Sequence, residues 1–363
     1  MPLQINVEQA RDQVDAAWQD SILPALKAFI RIPAKSPAFD ADWAANGHLD
    51  DAVALAKAWC EEVAPSGSSI EVVQLPGRTP LLWVDVPATG SGETLLYGHL
   101  DKQPEASGWD DDKGPWTPVI EHDQLYGRGA ADDGYALFAS LQAVRLVHDQ
   151  GLPHPRCMLL IECAEESGSP DLPAYLDHLA PRLGQPDLVV CLDSGCANYD
   201  QLWVTTSLRG MAAGDLRVRV LEQGVHSGDA GGVVPSSFRI ARALLERIET
   251  ADTGAITLPG LNADIPTERY EQAEHAAQVL GSALSDKFPW AGQTQPRQAS
   301  TREQILDRTW RAALEVIGAD GLPPTQQSGN VLRAETQLRL SLRLPPTVDG
   351  QSATRAMRAA LEA

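Results

Sequence analysis

Four short segments of the chain carry side chains that could bind divalent cations. The candidate ligands are His99, Asp132, Glu165, Glu166 and Asp193, each placed where an apolar run ends or a glycine-rich turn begins. One imidazole with several carboxylates suits zinc, manganese or cobalt. A carboxylate that bridges two such ions helps them to hold and activate a water for attack on a carbonyl group. The residue types therefore favour a hydrolytic metal centre.

The imidazole comes with a candidate supporting group. His99 ends a predicted buried strand, and Asp101 follows two residues later. A carboxylate in that position can orient the ring of a metal-binding histidine and raise its basicity. The alternative is a strand-end histidine that is simply hydrogen-bonded to a neighbouring aspartate.

The acidic segments also have ordinary interpretations. Asp132 and Asp133 could cap a helix and occupy its first turn, and Glu165-Glu166 could begin a solvated helix. Asp193 is harder to explain in this way, because a carboxylate after a buried strand needs a partner. Two adjacent glutamates also allow one to bind metal while the other acts as general base. Considered together, the segments favour a metal site over four separate coincidences.

Apolar periodicity predicts how these residues are brought together. Predicted helices cover 7–30, 48–63, 133–147 and 171–179, and predicted strands cover 69–73, 81–86, 94–97, 157–162 and 187–192. This alternation predicts an α/β fold whose largely parallel sheet has helices on both faces. Ligand sites in such sheets form at the carboxyl ends of the strands, so distant segments can converge there.

A second, smaller α+β domain is predicted after the pattern changes near Val204. Strands are predicted at 214–220 and 337–344, helices at 236–248 and 350–361, and loops with a short helix around Glu274 at 258–297. The alternating strands predict a small sheet with one exposed face. We therefore expect a catalytic domain over 1–206 and a second domain over 207–363.

Composition excludes several classes of protein. The formal net charge is −20, which argues against nucleic-acid or anionic-membrane partners because both require basic surfaces. No apolar run has the length of a membrane span, and no secretory signal is visible at the N-terminus. The five cysteines contain no Cys-x-x-Cys pair, so we expect free thiols and a cytoplasmic location.

The ordered segments resemble a known family. They are Gly98-His99-Leu100-Asp101, Gly127-Arg128-Gly129 with Asp132-Asp133, Glu165-Glu166-Ser167-Gly168, Leu192-Asp193, Gly224-Val225-His226-Ser227-Gly228 and Ser341-Leu342-Arg343-Leu344-Pro345. From about Phe29 onward the chain resembles the metallopeptidases that include carnosinase, cytosolic non-specific dipeptidase, carboxypeptidase G and acetylornithine deacetylase. The dipeptidase branch is the most similar.

The resemblance implies a zinc-exopeptidase-like catalytic domain and a ferredoxin-like lid through which the protein forms a homodimer. It implies two divalent ions, with zinc favoured over manganese or cobalt. Asp132 would bridge the ions, His99 and Asp193 would complete the ligands of one, and Glu166 would bind the other.

The resemblance also assigns the reacting groups. Asp101 would orient His99, and Glu165 would take a proton from the attacking water and pass it to the leaving amine. The remaining roles belong to the predicted lid: His226 would donate to the oxyanion in a neighbouring subunit, and Arg343 with Asn330 would hold the substrate carboxylate or carbonyl. The substrate would be a small peptide or an acyl-amino acid.

The chain departs from the family near its end. The family takes a further histidine ligand from a segment beyond the lid, whereas no histidine follows His275. We therefore expect a chain that is truncated at the C-terminus. The leading hypothesis is a two-metal hydrolase that cleaves dipeptides. The alternatives are an inactive, truncated relative that retains a dimerising lid, and an N-acyl-amino-acid deacylase.

Overall fold

The computed structural model describes residues 4–362 and shows two compact units. The first unit ends at Gly195 and the second begins at Cys196. The boundary predicted between residues 206 and 207 falls inside the second unit.

The first unit contains the predicted alternation of helices and strands. Its helices are α1 (Val7–Ala17), α2 (Leu23–Ile30), α3 (Trp43–Asn46), α4 (His48–Val63), α5 (Tyr135–Asp149) and α6 (Leu172–Leu183). Its strands are β1 (Ser69–Val73), β2 (Leu81–Val86), β3 (Glu93–His99), β4 (Val119–Glu121), β5 (Gln124–Tyr126), β6 (Arg156–Glu162) and β7 (Leu188–Cys191). A π-helical turn, Trp18–Ile22, joins α1 to α2, so the predicted helix over 7–30 is continuous but locally widened.

Five of these strands form the central sheet in the order β1-β2-β6-β3-β7. The β6–β3 and β3–β7 pairs are parallel, whereas β2 is antiparallel to both β1 and β6. Four of the five strands consequently run in one direction and only β2 is reversed. The predicted α/β class with a largely parallel sheet is confirmed.

Both faces of this sheet are covered. Along β6, Leu159 and Ile161 belong to the core formed with α2, α4 and α5, while Met158 and Leu160 pack on the opposite face with Tyr175 of α6. Because successive side chains of a strand point to opposite faces, burial on both sides requires an uninterrupted apolar run. That requirement explains why these strands were recognisable from the sequence.

Within the described part of the chain, the second unit contains five strands, three of which form a smaller antiparallel sheet. Its strands are β8 (Gly210–Arg219), β9 (Val225–His226), β10 (Ala313–Asp320), β11 (Val331–Leu332) and β12 (Glu335–Leu344). Its helices are α7 (Ser227–Ala230), α8 (Ser237–Leu245), α9 (Thr267–Leu280), α10 (Ala283–Asp286), α11 (Thr301–Thr309) and α12 (Gly350–Glu362). The sheet order is β10-β12-β8, while β9 and β11 pair separately. Leu338, Leu340 and Leu342 of β12 are buried with Ala241 of α8 and Met357 of α12, so the alternation predicted for this strand is confirmed.

Several elements of the second unit differ from the sequence prediction, and helix α11 is among those not predicted. The loop-rich interpretation of 258–297 is wrong in part, because α9 is a helix of 14 residues rather than a short one. Its only buried residue is Ala273, so it lacks a strong apolar stripe. Strand β10 was not predicted at all. Val316 and Ile317 are largely exposed, and the register shifts between Val316 and Gly318, which breaks the alternation that marks a strand.

The structure also bears on the cysteines and on helix length. All five cysteines are free thiols. Within residues 4–362 none of the helices combines the length and apolarity that a membrane crossing demands.

Candidate metal centre

Neighbouring strand ends position most of the predicted ligands. His99 is the last residue of β3, Glu165 and Glu166 lie in the 3-10 turn after β6, and Asp193 follows β7. Strands β6, β3 and β7 are adjacent and parallel, so their carboxyl ends lie side by side. Asp132 reaches the same place from the turn that precedes α5.

The structure brings these side chains around the imidazole of His99. Its Nε2 atom lies 3.4 Å from Asp132 Oδ1, 3.8 Å from Asp193 Oδ2 and 3.9 Å from Glu165 Oε2. The His99 side chain is fully buried, while that of Asp132 is 53% exposed. The buried imidazole therefore forms the inner side of the cluster, and its outer side is formed by carboxylates that are accessible from solvent.

Two three-residue groups in this cluster have the geometry of a cation site. One contains His99, Asp132 and Glu166, and the other contains His99, Glu165 and Asp193. Within residues 4–362, His99 Nε2 and Glu166 Oε1 are buried without a hydrogen-bond partner. Buried polar atoms normally have partners, and imidazole nitrogen and carboxylate oxygen are both ligands for divalent ions. The donor set therefore fits a divalent cation.

The pKa shifts of the clustered side chains agree with a site for a divalent cation. Burial lowers the pKa of His99, but the carboxylates of Asp101 and Asp132 outweigh it and raise the pKa to about 11. Burial raises the pKa of Glu166 to about 7 and that of Asp133 to about 8. Without an added cation the cluster thus retains protons, because its negative charges are crowded and poorly solvated.

Asp101 holds both His99 and the turn that carries the two glutamates. The His99 Nδ1 atom lies 3.0 Å from the Asp101 main-chain oxygen and 3.4 Å from its carboxylate. The same carboxylate accepts the main-chain N–H groups of Glu165 and Glu166 at 3.1 and 3.0 Å. A proton on Nδ1, donated to Asp101, leaves Nε2 as the atom that can bind a metal.

The turn that carries Asp132 is packed against the interior without room for extra side chains. Gly129 has φ +81°, and a Cβ atom there would lie 2.7 Å from the Lys102 stem. At Gly134 an added Cβ would collide with the Phe29 ring. These glycines allow the backbone to approach α2 closely, which fixes the position of Asp132.

Sequence reasoning missed two supporting residues, Lys102 and Gln103. Lys102 is fully buried, and its Nζ atom donates to the main-chain oxygens of Phe29 and Ile32 at 2.8 and 2.7 Å. Gln103 Nε2 donates to Glu166 Oε2 at 2.5 Å. Both residues lie within two positions of Asp101, but their hydrogen-bond partners are more than 60 residues away in the sequence. No local sequence pattern therefore predicts these contacts.

The predicted substrate residues of the second unit are only partly gathered. His226 and Val331 pair in the β9–β11 ladder, and Ser227 donates its N–H to the Asn330 main-chain oxygen at 2.9 Å, so His226 and Asn330 are close in the fold. His226 Nδ1 accepts the Gly228 N–H at 3.2 Å. Arg343 lies on β12, in a different sheet, and is exposed. The roles assigned to these residues stay predictions.

The first unit thus combines a mixed α/β fold with one imidazole and several carboxylates that could hold a divalent ion. The family described as "Peptidase family M20/M25/M40" matches residues 95–363. The chain belongs to this family, and the predicted resemblance is confirmed.

Relatives with assigned activities are similar over part of their length. A cysteinylglycine-S-conjugate dipeptidase from Corynebacterium striatum is 27% identical over 273 residues, which cover 73% of this chain and 56% of the relative. The Beta-Ala-His dipeptidase of Homo sapiens is 27% identical over 268 residues, covering 70% of this chain and 50% of the relative. The chain thus spans about half the length of the curated relatives it matches.

A solved structure supports the fold. The M20 family metallo-carboxypeptidase Sso-CP2 from Sulfolobus solfataricus superimposes with a TM-score of 0.74 at 20% identity, covering 94% of this chain and 75% of that one. At this level of identity the similarity concerns the fold, and the chemistry must be argued from the site itself.

Proposed function

We propose that this protein hydrolyses the amide bond of dipeptides with the help of two divalent ions, zinc being favoured over manganese or cobalt. The observation that carries the proposal is the pair of ligand groups that share His99. Family membership and the dipeptide names of the two relatives support the choice of reaction and substrate class.

The ligand assignment follows the family resemblance and takes its residues from both ligand groups. We assign His99 and Asp193 to one ion, Glu166 to the other, and Asp132 to a bridge between them. Asp132 supports the bridge because its carboxylate lies 3.4 Å from His99 Nε2 and also belongs to the group that contains Glu166. Asp101 orients His99 through the contacts at Nδ1.

When bound, a pair of divalent ions polarises the scissile carbonyl and makes water acidic enough to act as a nucleophile. Glu165 would receive the proton of the attacking water on a carboxylate oxygen. A third of its side chain is exposed, and burial raises its pKa above the ordinary value, which suits a group that takes up a proton and then delivers it to the leaving amine.

The substrate end of the proposal involves the second unit. Arg343 and Asn330 would hold the carboxylate or carbonyl of the substrate, since a guanidinium group can bind a carboxylate through two hydrogen bonds. His226 would donate to the oxyanion of the tetrahedral state. Its exposure and the engagement of Nδ1 by Gly228 leave Nε2 as the donating atom.

The proposal is tested by measuring hydrolysis of β-Ala-His and Cys-Gly with added zinc, manganese or cobalt. Glu165→Gln should lower kcat by about 10²–10⁴-fold, the usual contribution of a general base. The control is Glu62→Gln on the exposed side of α4, which should keep the wild-type rate. Equal rates from the wild type and Glu165→Gln would refute the proposal.

The same assay separates the alternatives. Faster turnover of N-acyl-amino acids than of dipeptides would favour the deacylase. Metal binding without turnover of any substrate would favour the inactive relative.

Two further parts of the proposal concern assembly and location. We propose a homodimer formed through residues 207–363, with light scattering of the full chain as its test. A monomer at high protein concentration would contradict it. We also propose a cytoplasmic location, which is supported by the five free cysteines because oxidising compartments promote disulfides. Localisation of the tagged protein in its own cells would test it.

A further inference from the structure

Gln103 makes a polar contact that the assignments above do not use. It lies four residues beyond His99, and its side-chain Nε2 donates to Glu166 Oε2 at 2.5 Å. Gln103 is half-buried. Its amide and the carboxylate come from segments 63 residues apart in the sequence, so the contact links the strand end of β3 to the turn after β6.

The contact gives the two Glu166 oxygen atoms different surroundings. Oε2 accepts the Gln103 amide, whereas Oε1 is buried and lacks a hydrogen-bond partner within the described part of the chain. Glu166 belongs to the ligand group with His99 and Asp132. An amide that occupies one oxygen leaves the other as the atom available to a cation.

The contact also distinguishes two glutamates whose main-chain hydrogen bonds are alike. Asp101 accepts the main-chain N–H groups of both Glu165 and Glu166 at nearly equal distances. The side chains differ in their surroundings, because Glu166 meets the Gln103 amide while Glu165 lies 3.9 Å from His99 Nε2 and is one-third exposed. A carboxylate fixed by an amide suits a ligand, and a carboxylate without that restraint suits a group that exchanges protons with solvent.

We propose that Gln103 is a positioning residue that restrains Glu166 as a metal ligand through one oxygen atom and thereby leaves Glu165 as the base. This inference rests on the proposed function and identifies the group that separates the roles of two adjacent, chemically identical side chains. Loss of a hydrogen bond to a metal ligand typically lowers metal affinity or activity by about 10–100-fold.

The test variant is Gln103→Met, which keeps the length of the side chain and removes the amide donor. Titration calorimetry of the metal-free full chain with zinc should show that at least one binding step weakens by about 10–100-fold. The matched control is Gln150→Met. Gln150 is also half-buried, and its amide makes hydrogen bonds with Asn6, so this variant should bind zinc as the wild type does.

A kinetic measurement separates positioning from general damage. If Gln103 acts through metal affinity, excess zinc should restore kcat of Gln103→Met toward the wild-type value, with little change in KM. Gln103→Asn, which keeps the amide but shortens its reach, should show the same weakening and the same recovery.

Three results would overturn the inference. Wild-type zinc affinity in both Gln103→Met and Gln103→Asn would exclude the restraint of Glu166. Loss of kcat that excess zinc does not restore would show that Gln103 acts in another way. A wild-type protein that binds no divalent metal would refute the proposed function itself and the inference with it, whereas the first two results leave that function standing.

Discussion

In the first unit, charged side chains are buried at the ends of strands, whereas in the second unit they lie along the exposed face of a sheet. Asp101 and Asp133 are almost completely buried beside His99. On the β8–β12 pair, Arg217 forms an ion pair with Glu335 and Arg339 forms one with Asp215, with side chains that are between one-third and three-fifths exposed.

The difference separates buried charge, which needs a compensating partner, from exposed charge, which water solvates. An exposed ion pair gains little because water already solvates both partners. Burying several carboxylates together is costly unless protons, hydrogen bonds or a cation compensate them. Burial raises the pKa of Glu166 and of Asp133, so without a cation these carboxyls retain protons more readily than exposed ones. The arrangement is therefore one that a divalent ion would stabilise.

The largest effect that would sharpen this comparison is stabilisation of the first unit by metal. Zinc at one hundred times its dissociation constant should raise the free energy of unfolding by about 2.7 kcal/mol. Asp132→Ala should remove most of that gain because it deletes the proposed bridging carboxylate. Chemical unfolding with and without zinc measures both values, and equal zinc stabilisation of wild type and variant would contradict the assignment.

A smaller effect concerns pH in the absence of metal. Burial raises the pKa of Asp133 from 3.8 to about 8, so the folded chain keeps a proton that the unfolded chain releases. The stabilisation is complete below the unfolded pKa and is lost as pH rises through about 8. Unfolding in EDTA should therefore show lower stability at about pH 8 than at about pH 5.5, by at least about 1.4 kcal/mol, the equivalent of one pKa unit.

The control for this pH effect is Asp133→Asn, which cannot ionise and should make the profile shallower, while the raised pKa values of Glu166 and His99 maintain the remaining pH dependence. A wild-type profile as flat as that of the variant would show that Asp133 is not held in its protonated form. Since Asp133 Oδ2 accepts the His99 N–H at 3.3 Å, the variant retains an acceptor for this bond.

The smallest effect is expected on the exposed sheet of the second unit. Arg339→Ala removes the 3.2 Å ion pair with Asp215 and should lower stability by about 0.2–1 kcal/mol. Zinc affinity should not change. Chemical unfolding in low and high salt measures the loss, which salt should reduce. A loss of several kcal/mol would break the contrast between the two kinds of charge.

Elements with a regular apolar pattern could be predicted closely from the sequence. Helix α4 and strands β1 and β2 have the predicted limits, since their apolar residues are numerous and regularly spaced. Strand β10 could not be found, because Val316 and Ile317 face solvent and local alternation is lost. Pairing with β12 fixes this strand, and such pairing is invisible to a local pattern.

The candidate site shows the same limit. The gathering of His99 and Asp193 was predictable because parallel strands end at one edge of the sheet. The Gln103–Glu166 hydrogen bond was not predictable, since it depends on side-chain conformations at the meeting of two distant segments. Sequence reasoning thus found the residues that carry chemistry more readily than those that hold them in place.

The close approach of the Asp132 turn to α2 has a consequence for natural variation. One extra methyl group at Gly129 or Gly134 would meet the Lys102 stem or the Phe29 ring and push the turn outward, although every polar atom of the site would still be encoded. A survey of homologues that checked only for the acidic and histidine positions would count such a protein as having a complete metal site. Small residues in this turn are therefore as diagnostic of a working centre as the ligands themselves.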